Sequence, residues 1–198
     1  IAIVLYYNSS MGVEEAFRKS LFQVASLHTS TGFATADYMT WPSVLWGTLT
    51  VIMIIGACAG STTGGMKCIR LLILAKISRN EFKHITHPNA VLPVRVNKQV
   101  ISPSIRSTVL AFSFLYAVLI IVGTLAMMGM GVGLLESLGC TISSLGNMGP
   151  GLGLCGPAYS WNELPDMGKW LMSFFMLLGR LELFTVLLLF SSDFWKKN

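Results

Sequence analysis

The chain has 198 residues, 53% of them hydrophobic and only 12% charged, with a mean hydropathy of +0.65. Soluble domains carry about 25% charged residues, so this composition excludes an ordinary soluble globular protein and points to a membrane protein. The formal charge of +5 is not a nucleic-acid signal: eight of the 14 Lys and Arg residues lie between Lys67 and Arg106, two more are Lys196 and Lys197, and the positive-inside rule makes both regions cytoplasmic.

Ile1–Tyr7 reads as the end of an outward-going span whose start lies outside the chain, with no basic n-region of a secretory signal. After a turn at Asn8–Gly12, Glu14–His28 reads as a helix with Glu14 and Glu15 in its first turn, where acids suit the helix dipole. Such a helix rises roughly 22 Å, short of the ~30 Å bilayer core, so it re-enters from one side rather than crosses. Pro42–Arg79 would be roughly 57 Å long as one helix. The run Ala57–Gly65 interrupts it with glycines and hydroxyl residues that weaken helices. Irregular backbone cannot face lipid, so the break lines a water-filled space or packs within protein. Met66–Arg79 resumes as an amphipathic segment, and Asn80–Ser104, with His84, His87 and three prolines, reads as a cytoplasmic connection. Ser107–Met128 is a span, Gly129–Gly133 a turn, and Leu134–Leu145 a second helix of about 18 Å, again too short to cross. Gly146–Gly156 is a second loop and Trp170–Phe190 the last span, with Trp161, Trp170 and Trp195 near interfaces.

The pattern repeats. An offset of 117 residues sets Gly32 against Gly149, Ser26 against Ser143 and Phe17 against Leu134; an offset of 123 sets Pro42 against Pro165 and Gly56 against Gly179. The difference falls in an outer loop, where insertions are tolerated. Each unit is therefore span, short helix, glycine loop, span. The expected organisation is one unit over residues 1–79, a basic cytoplasmic connection over 80–106 and a second unit over 107–198.

Two glycine loops held inside a membrane by short helices suit a cation pathway. A dehydrated cation needs closely placed oxygens, and backbone carbonyls supply them where side chains keep off the axis. The candidate filter residues are Ser30, Thr31, Gly32 and Phe33 in the first loop and Asn147, Met148, Gly149 and Pro150 in the second. One such loop could be a polar surface turn; two in the same setting favour a pore. The C-terminal ends of the short helices point their negative dipole ends at it. Below the first filter, Ala59, Gly60, Ser61, Thr62, Thr63, Gly64 and Gly65 read as a gating loop, since a packing kink needs only one or two small residues. Arg180, in the middle of an apolar run, is expensive at membrane depth and is expected to face the cavity beside that loop, where its charge would repel a cation. Glu182 faces elsewhere, in a pairing role. Asp37, Glu163 and Asp166 are expected to concentrate cations at the outer mouth or to be solvated surface acids. His28, His84 and His87 make no metal set, and His28 is expected to cap its helix. The four cysteines show no metal spacing and read as free packing thiols.

Four ordered motifs carry a family resemblance: Thr29-Ser30-Thr31-Gly32-Phe33, the stretch from Gly56 to Lys67, Asn147-Met148-Gly149-Pro150-Gly151, and Gly179-Arg180-Leu181-Glu182. Together they resemble the TrkH/KtrB/HKT potassium transporters, in particular TrkH-type bacterial uptake subunits. The resemblance implies an all-α membrane protein of tandem span, re-entrant pore helix, filter loop and span repeats, with four repeats around one pore, of which this chain matches the third and fourth. It implies potassium uptake across the bacterial inner membrane, potassium as the transported ion and no cofactor. It also implies a homodimer in membrane lipid on a cytoplasmic ring of nucleotide-binding TrkA-type subunits, with part of that contact on Met66–Arg106. Met148 and Pro150 stand where Thr31 and Phe33 stand in the other repeat, so the carbonyl ring need not be symmetric. Half the filter lies outside this chain, which by itself would not form a four-sided pore.

Other readings are weaker. Gly60-x-x-x-x-Gly65 lacks the lysine and preceding strand of a phosphate loop, so an enzyme is not expected. An alternating-access cation symporter commonly has inverted repeats, whereas these two units run the same way. A non-conducting membrane subunit would leave Arg180 and the glycine tracts without a task.

Overall fold

The computed structural model describes residues 1–9, 11–58, 60–61, 63–88, 90, 92–97, 99–181 and 183–189. Eight α-helices appear among them: α1 Ala2–Asn8, α2 Val13–His28, α3 Ser43–Ile54, α4 Cys68–Thr86, α5 Pro103–Gly129, α6 Leu134–Gly146, α7 Asp166–Arg180 and α8 Leu183–Leu189. The architecture is all-α, with only two small strand pairs.

Helix α5 is the one described helix long and apolar enough to cross a membrane by length and composition; its 27 residues rise about 40 Å. It starts four residues before the expected Ser107, because Ser102 caps it and Pro103 takes its first position, where the missing N–H costs nothing. Helices α2 and α6 have 16 and 13 residues, which rise about 24 and 20 Å. Each packs between flanking helices: α2 against α1 and α3, α6 against α5 and α7. The packing is close. A Cβ on Gly123 of α5 would meet Phe175 of α7 at 2.2 Å and Thr141 of α6 at 2.8 Å.

The core has two connected parts. One is built on α5, α6 and α7 from Phe112, Tyr116, Met127, Met172, Phe175 and Leu178. The other is built on α1, α2 and α3 from Leu5, Leu27, Tyr38, Leu45, Leu49 and Met53, and it takes in Ile142, Met148 and Leu152 of the second repeat. The second glycine loop is therefore part of the first repeat's core.

The break between α3 and α4 is ordered at its base. Ile55–Gly56 (β1) pairs in parallel with Met66–Lys67 (β2), in register Ile55 to Met66 and Gly56 to Lys67. The intervening residues are thus pinched off as a loop. Of the expected gating loop, Ala59 and Thr62 lie outside the described residues.

Several expectations are corrected. The last span is not continuous: α7 ends at Arg180 and α8 begins at Leu183, so this apolar run breaks where the offset alignment places the break of the other repeat. Glu182, Trp195, Lys196 and Lys197 lie outside the described residues. The segment expected to be a cytoplasmic connection is more structured than its composition suggests, because α4 runs on to Thr86 and Arg95–Val96 (β3) pairs antiparallel with Gln99–Val100 (β4). Lys76 Nζ donates to Arg95 O at 2.6 Å and Asn80 Nδ2 to Leu92 O at 3.1 Å, folding this segment back onto α4. The cysteines are not all free: Cys140 and Cys155 form a disulfide, while Cys58 and Cys68 are free thiols. Sequence spacing carries no signal for that bridge, because the turn at Gly153–Cys155 returns the chain to α6 only in the fold.

Glycine at position 179 is required by space. A Cβ there would lie 2.1 Å from the Leu145 carbonyl oxygen and 2.8 Å from Asn147 Nδ2. Gly179→Ala is expected to lower stability by about 1–3 kcal/mol. Gly47→Ala on an exposed face of α3, where nothing lies within 4 Å, is expected to raise it by about 0.5–1 kcal/mol. Thermal unfolding of the two purified variants checks both signs.

Candidate ion-pathway site

The two glycine loops have the same backbone conformation at the same offset. Helix α2 ends and Ser30 takes φ +53, followed by Gly32 at φ +78; helix α6 ends and Asn147 takes φ +53, followed by Gly149 at φ +101. Ser30 N donates to Leu27 O at 3.3 Å and Thr31 N to Ser26 O at 2.9 Å. Their counterparts at the same offset, Asn147 N to Ser144 O and Met148 N to Ser143 O, are both 3.1 Å. Each short helix is closed by a left-handed residue and two backward bonds. Gly is not the residue at that first left-handed position. Ser and Asn hold it, and of these Asn is the more tolerant of the conformation.

The loops touch. A Cβ on Gly32 would lie 2.0 Å from Met148 O and 3.3 Å from Pro150 Cδ, whereas a Cβ on Gly149 would meet nothing within 4 Å. Gly32 is therefore needed for close approach as well as for its positive φ, and Gly149 for its φ alone. Ser30 Oγ donates to Gly146 O at 3.1 Å, Tyr38 OH donates to Gly151 O at 2.5 Å, and Asn147 Nδ2 donates to Met176 O at 3.0 Å. Tyr38 is fully buried, and burial with Asp37 beside it pushes its hydroxyl pKa up, so it stays a donor.

Carbonyl partners differ along each loop. Ser26 Oγ donates to Phe33 O at 2.6 Å, and Trp161 Nε1 donates to Gly149 O at 3.1 Å. Among the described residues, the carbonyl oxygens of Thr31, Gly32, Asn147 and Met148 accept no hydrogen bond. The Met148 oxygen packs against the Gly32 backbone. The two sides differ in exposure: Thr31 and Phe33 are exposed while Met148 and Pro150 are buried.

Beside the end of α6 lies a cavity of about 300 Å³. Ser61, Thr63 and Gly65 of the expected gating loop line it together with Arg180. Lys67 and Arg70 line it as well, which sequence reading assigned only to a cytoplasmic basic segment. Arg70 stacks on Phe112, its guanidinium carbon 3.9 Å from the ring centroid. Gly64 and Gly65 are pressed against the end of α6: Gly65 N donates to Leu145 O at 3.2 Å, and a Cβ on Gly64 would meet Leu145 O at 2.8 Å and Gly146 C and O at 2.9 Å. His28 does not cap its own helix. Its Nδ1 reaches Ile55 O at 3.1 Å, tying α2 to the base of the break. Asp37 is not free at the mouth either, since its carboxylate accepts Met39 N at 2.9 Å.

Short helices that end inside a helical bundle on irregular carbonyl-bearing loops, beside a helix of membrane length, define an all-α membrane transporter fold. The model of the TrkH cation transport protein family matches residues 6–197, and the chain belongs to that family. It is 36% identical over 196 residues to the Trk system potassium uptake protein TrkH of Halomonas elongata, covering 99% of this chain and 40% of that protein. It is 38% identical over 181 residues to the Trk system potassium uptake protein TrkG of Escherichia coli K12, covering 91% of this chain and 37% of that protein. The crystal structure of the potassium transporter TrkH from Vibrio parahaemolyticus superposes with a TM-score of 0.90 at 35% identity, covering 98% of this chain and 42% of that one. The chain thus spans about two fifths of the length of these relatives, and it is a membrane protein of a cation-transporting, non-enzymatic family.

The left-handed φ at Asn147 makes a direct prediction. Asn147→Val is expected to destabilise by about 1–2 kcal/mol or more, because a β-branched side chain is strained there, while Asn147→Gly keeps the conformation and loses only the bond to Met176 O. Comparing the unfolding midpoints of the two variants checks the order.

Proposed function

We propose that this chain forms two of four repeats around a potassium-conducting pore, and that the complete assembly takes up potassium across the bacterial inner membrane. The observation that carries this reading is the pair of loops of matching conformation, in contact at Gly32 and Met148, with undonated carbonyls at Thr31, Gly32, Asn147 and Met148. Those oxygens, with Ser30, Phe33, Gly149 and Pro150 shaping the backbone around them, replace the water shell of a passing ion. Two further loops are needed to close the ring. With one glycine in each filter loop and unlike neighbours, discrimination between potassium and sodium is moderate.

Inward of the filter, residues 59–65 act as the gate. Opening it breaks the Gly65 N to Leu145 O bond and the Gly64 contact with α6. Arg180, on the wall of the space beside that loop with Lys67 and Arg70, sets an electrostatic barrier to a cation. In this reading residues 1–79 and 107–198 are the two pore repeats and 80–106 the cytoplasmic connection. No cofactor takes part; potassium is cargo. The relatives are named as parts of a Trk system, which fits a homodimer in membrane lipid docked on a nucleotide-binding TrkA-type ring, with part of that contact on Met66–Arg106.

Two outcomes test the reading in the complete protein reconstituted in liposomes. Gly32→Ser places a side chain against Met148 O and is expected to lower the potassium-to-sodium permeability ratio; an unaltered ratio in an assembled variant removes this loop from the filter. Arg180→Ala is expected to raise potassium flux about fivefold, the effect of removing on the order of 1 kcal/mol of repulsion. Saturating transport at low turnover, without ohmic single-channel current, would point instead to a carrier.

A further inference from the structure

The segments that follow the two filter loops are each held from the same place on the preceding helix. At the 117-residue offset Gln23 of α2 corresponds to Cys140 of α6. Both are fully buried. Gln23 Nε2 donates to Ala36 O at 2.7 Å, three residues beyond Phe33. Cys140 reaches Cys155 through the disulfide, five residues beyond Pro150. Different chemistry thus spans the same gap in each repeat, from mid-helix to the strand of chain leaving the filter. Each brace encloses the whole of its filter loop: Ser30–Phe33 lies between Gln23 and Ala36, and Asn147–Pro150 lies between Cys140 and Cys155.

The braced segments are also tied to one another. Tyr38 is the offset counterpart of Cys155, and it donates from the first repeat to Gly151 O of the second. Gly151 N in turn donates to Cys155 O at 2.6 Å. A Cβ on Gly151 would meet Cys155 Cβ at 3.0 Å and Gly139 O at 3.1 Å, so this segment has no room to shift toward α6.

We propose that Gln23 and the Cys140–Cys155 disulfide are filter-positioning residues, which fix the separation of each carbonyl loop from its pore helix and thereby set ion discrimination. The inference rests on the filter reading above. Neither brace touches the ion. Each acts by limiting how far the loop carbonyls can move, because a loop anchored at one end only can contract around a smaller cation or widen around a larger one. The fourth repeat, whose loop carries the unlike residues Met148 and Pro150, has the covalent brace.

The test uses the complete protein in liposomes, with potassium and sodium alone on either side. The variants are Gln23→Leu, which keeps the volume and removes the donor, and two cysteine replacements, C140S/C155S and C140A/C155A. Each brace variant is expected to lower the potassium-to-sodium permeability ratio about fivefold, the equivalent of one lost hydrogen bond. Potassium conductance per assembled protein is expected to persist. A purely structural role would reduce the amount of assembled protein and leave the ratio of the survivors unchanged, and that result overturns the proposal. So does failure of Gln23→Leu and both cysteine pairs to assemble, since the braces would then serve the fold rather than the filter. Gly32→Ser run in parallel separates the two readings: a ratio altered by Gly32→Ser and by none of the brace variants sinks the braces alone, and a ratio altered by none of them sinks the filter.

Discussion

A helix that stops inside a membrane-buried bundle must find donors for its last four carbonyls without water. The end of α6 meets that constraint completely. Ser143 O and Ser144 O take the backbone N–H groups of Met148 and Asn147, Leu145 O takes Gly65 N, and Gly146 O takes Ser30 Oγ. Two of the four donors come from the helix's own loop, one from Gly65 and one from the other repeat's glycine loop. Satisfying one helix end therefore fixes where three segments lie. The glycines follow from the same crowding: Gly64 and Gly179 exist where backbone approaches Leu145 and Gly146 too closely for any Cβ.

This arrangement brings both glycine loops and Gly64–Gly65 together at one helix end. Leu145 O faces both Gly65 N and the Gly179 position at the end of α7, next to Arg180. Movement of Gly64 and Gly65 away from α6 would leave that carbonyl without its donor, a cost on the order of 1–3 kcal/mol, unless a new donor arrives. Arg180 lines the cavity beside these glycines.

The two repeats obey one backbone plan with different chemistry. Ser30 and Asn147 share a left-handed conformation, Gln23 and Cys140 share a bracing position, and Tyr38 and Cys155 share an anchoring position. The asymmetry in side chains shows in packing: Met148 is buried in the first repeat's core, while Phe33 is 72% exposed.

Much of this was legible in the chain. Helix lengths set by the spacing of apolar runs and glycines gave two sub-length helices, and the offset of 117 residues set the loops in register. Periodicity and composition suffice for that, because the bilayer fixes how long a spanning helix must be. They did not reveal the break after Arg180, the disulfide, the β3–β4 hairpin, the role of His28 at Ile55, or Lys67 and Arg70 on the cavity wall. Apart from the local β3–β4 hairpin, each of these depends on groups that only the fold brings together. Local pattern determined the class of each segment; which carbonyl was left open and which was tied was decided only by tertiary packing, since a donor can come from anywhere in the chain.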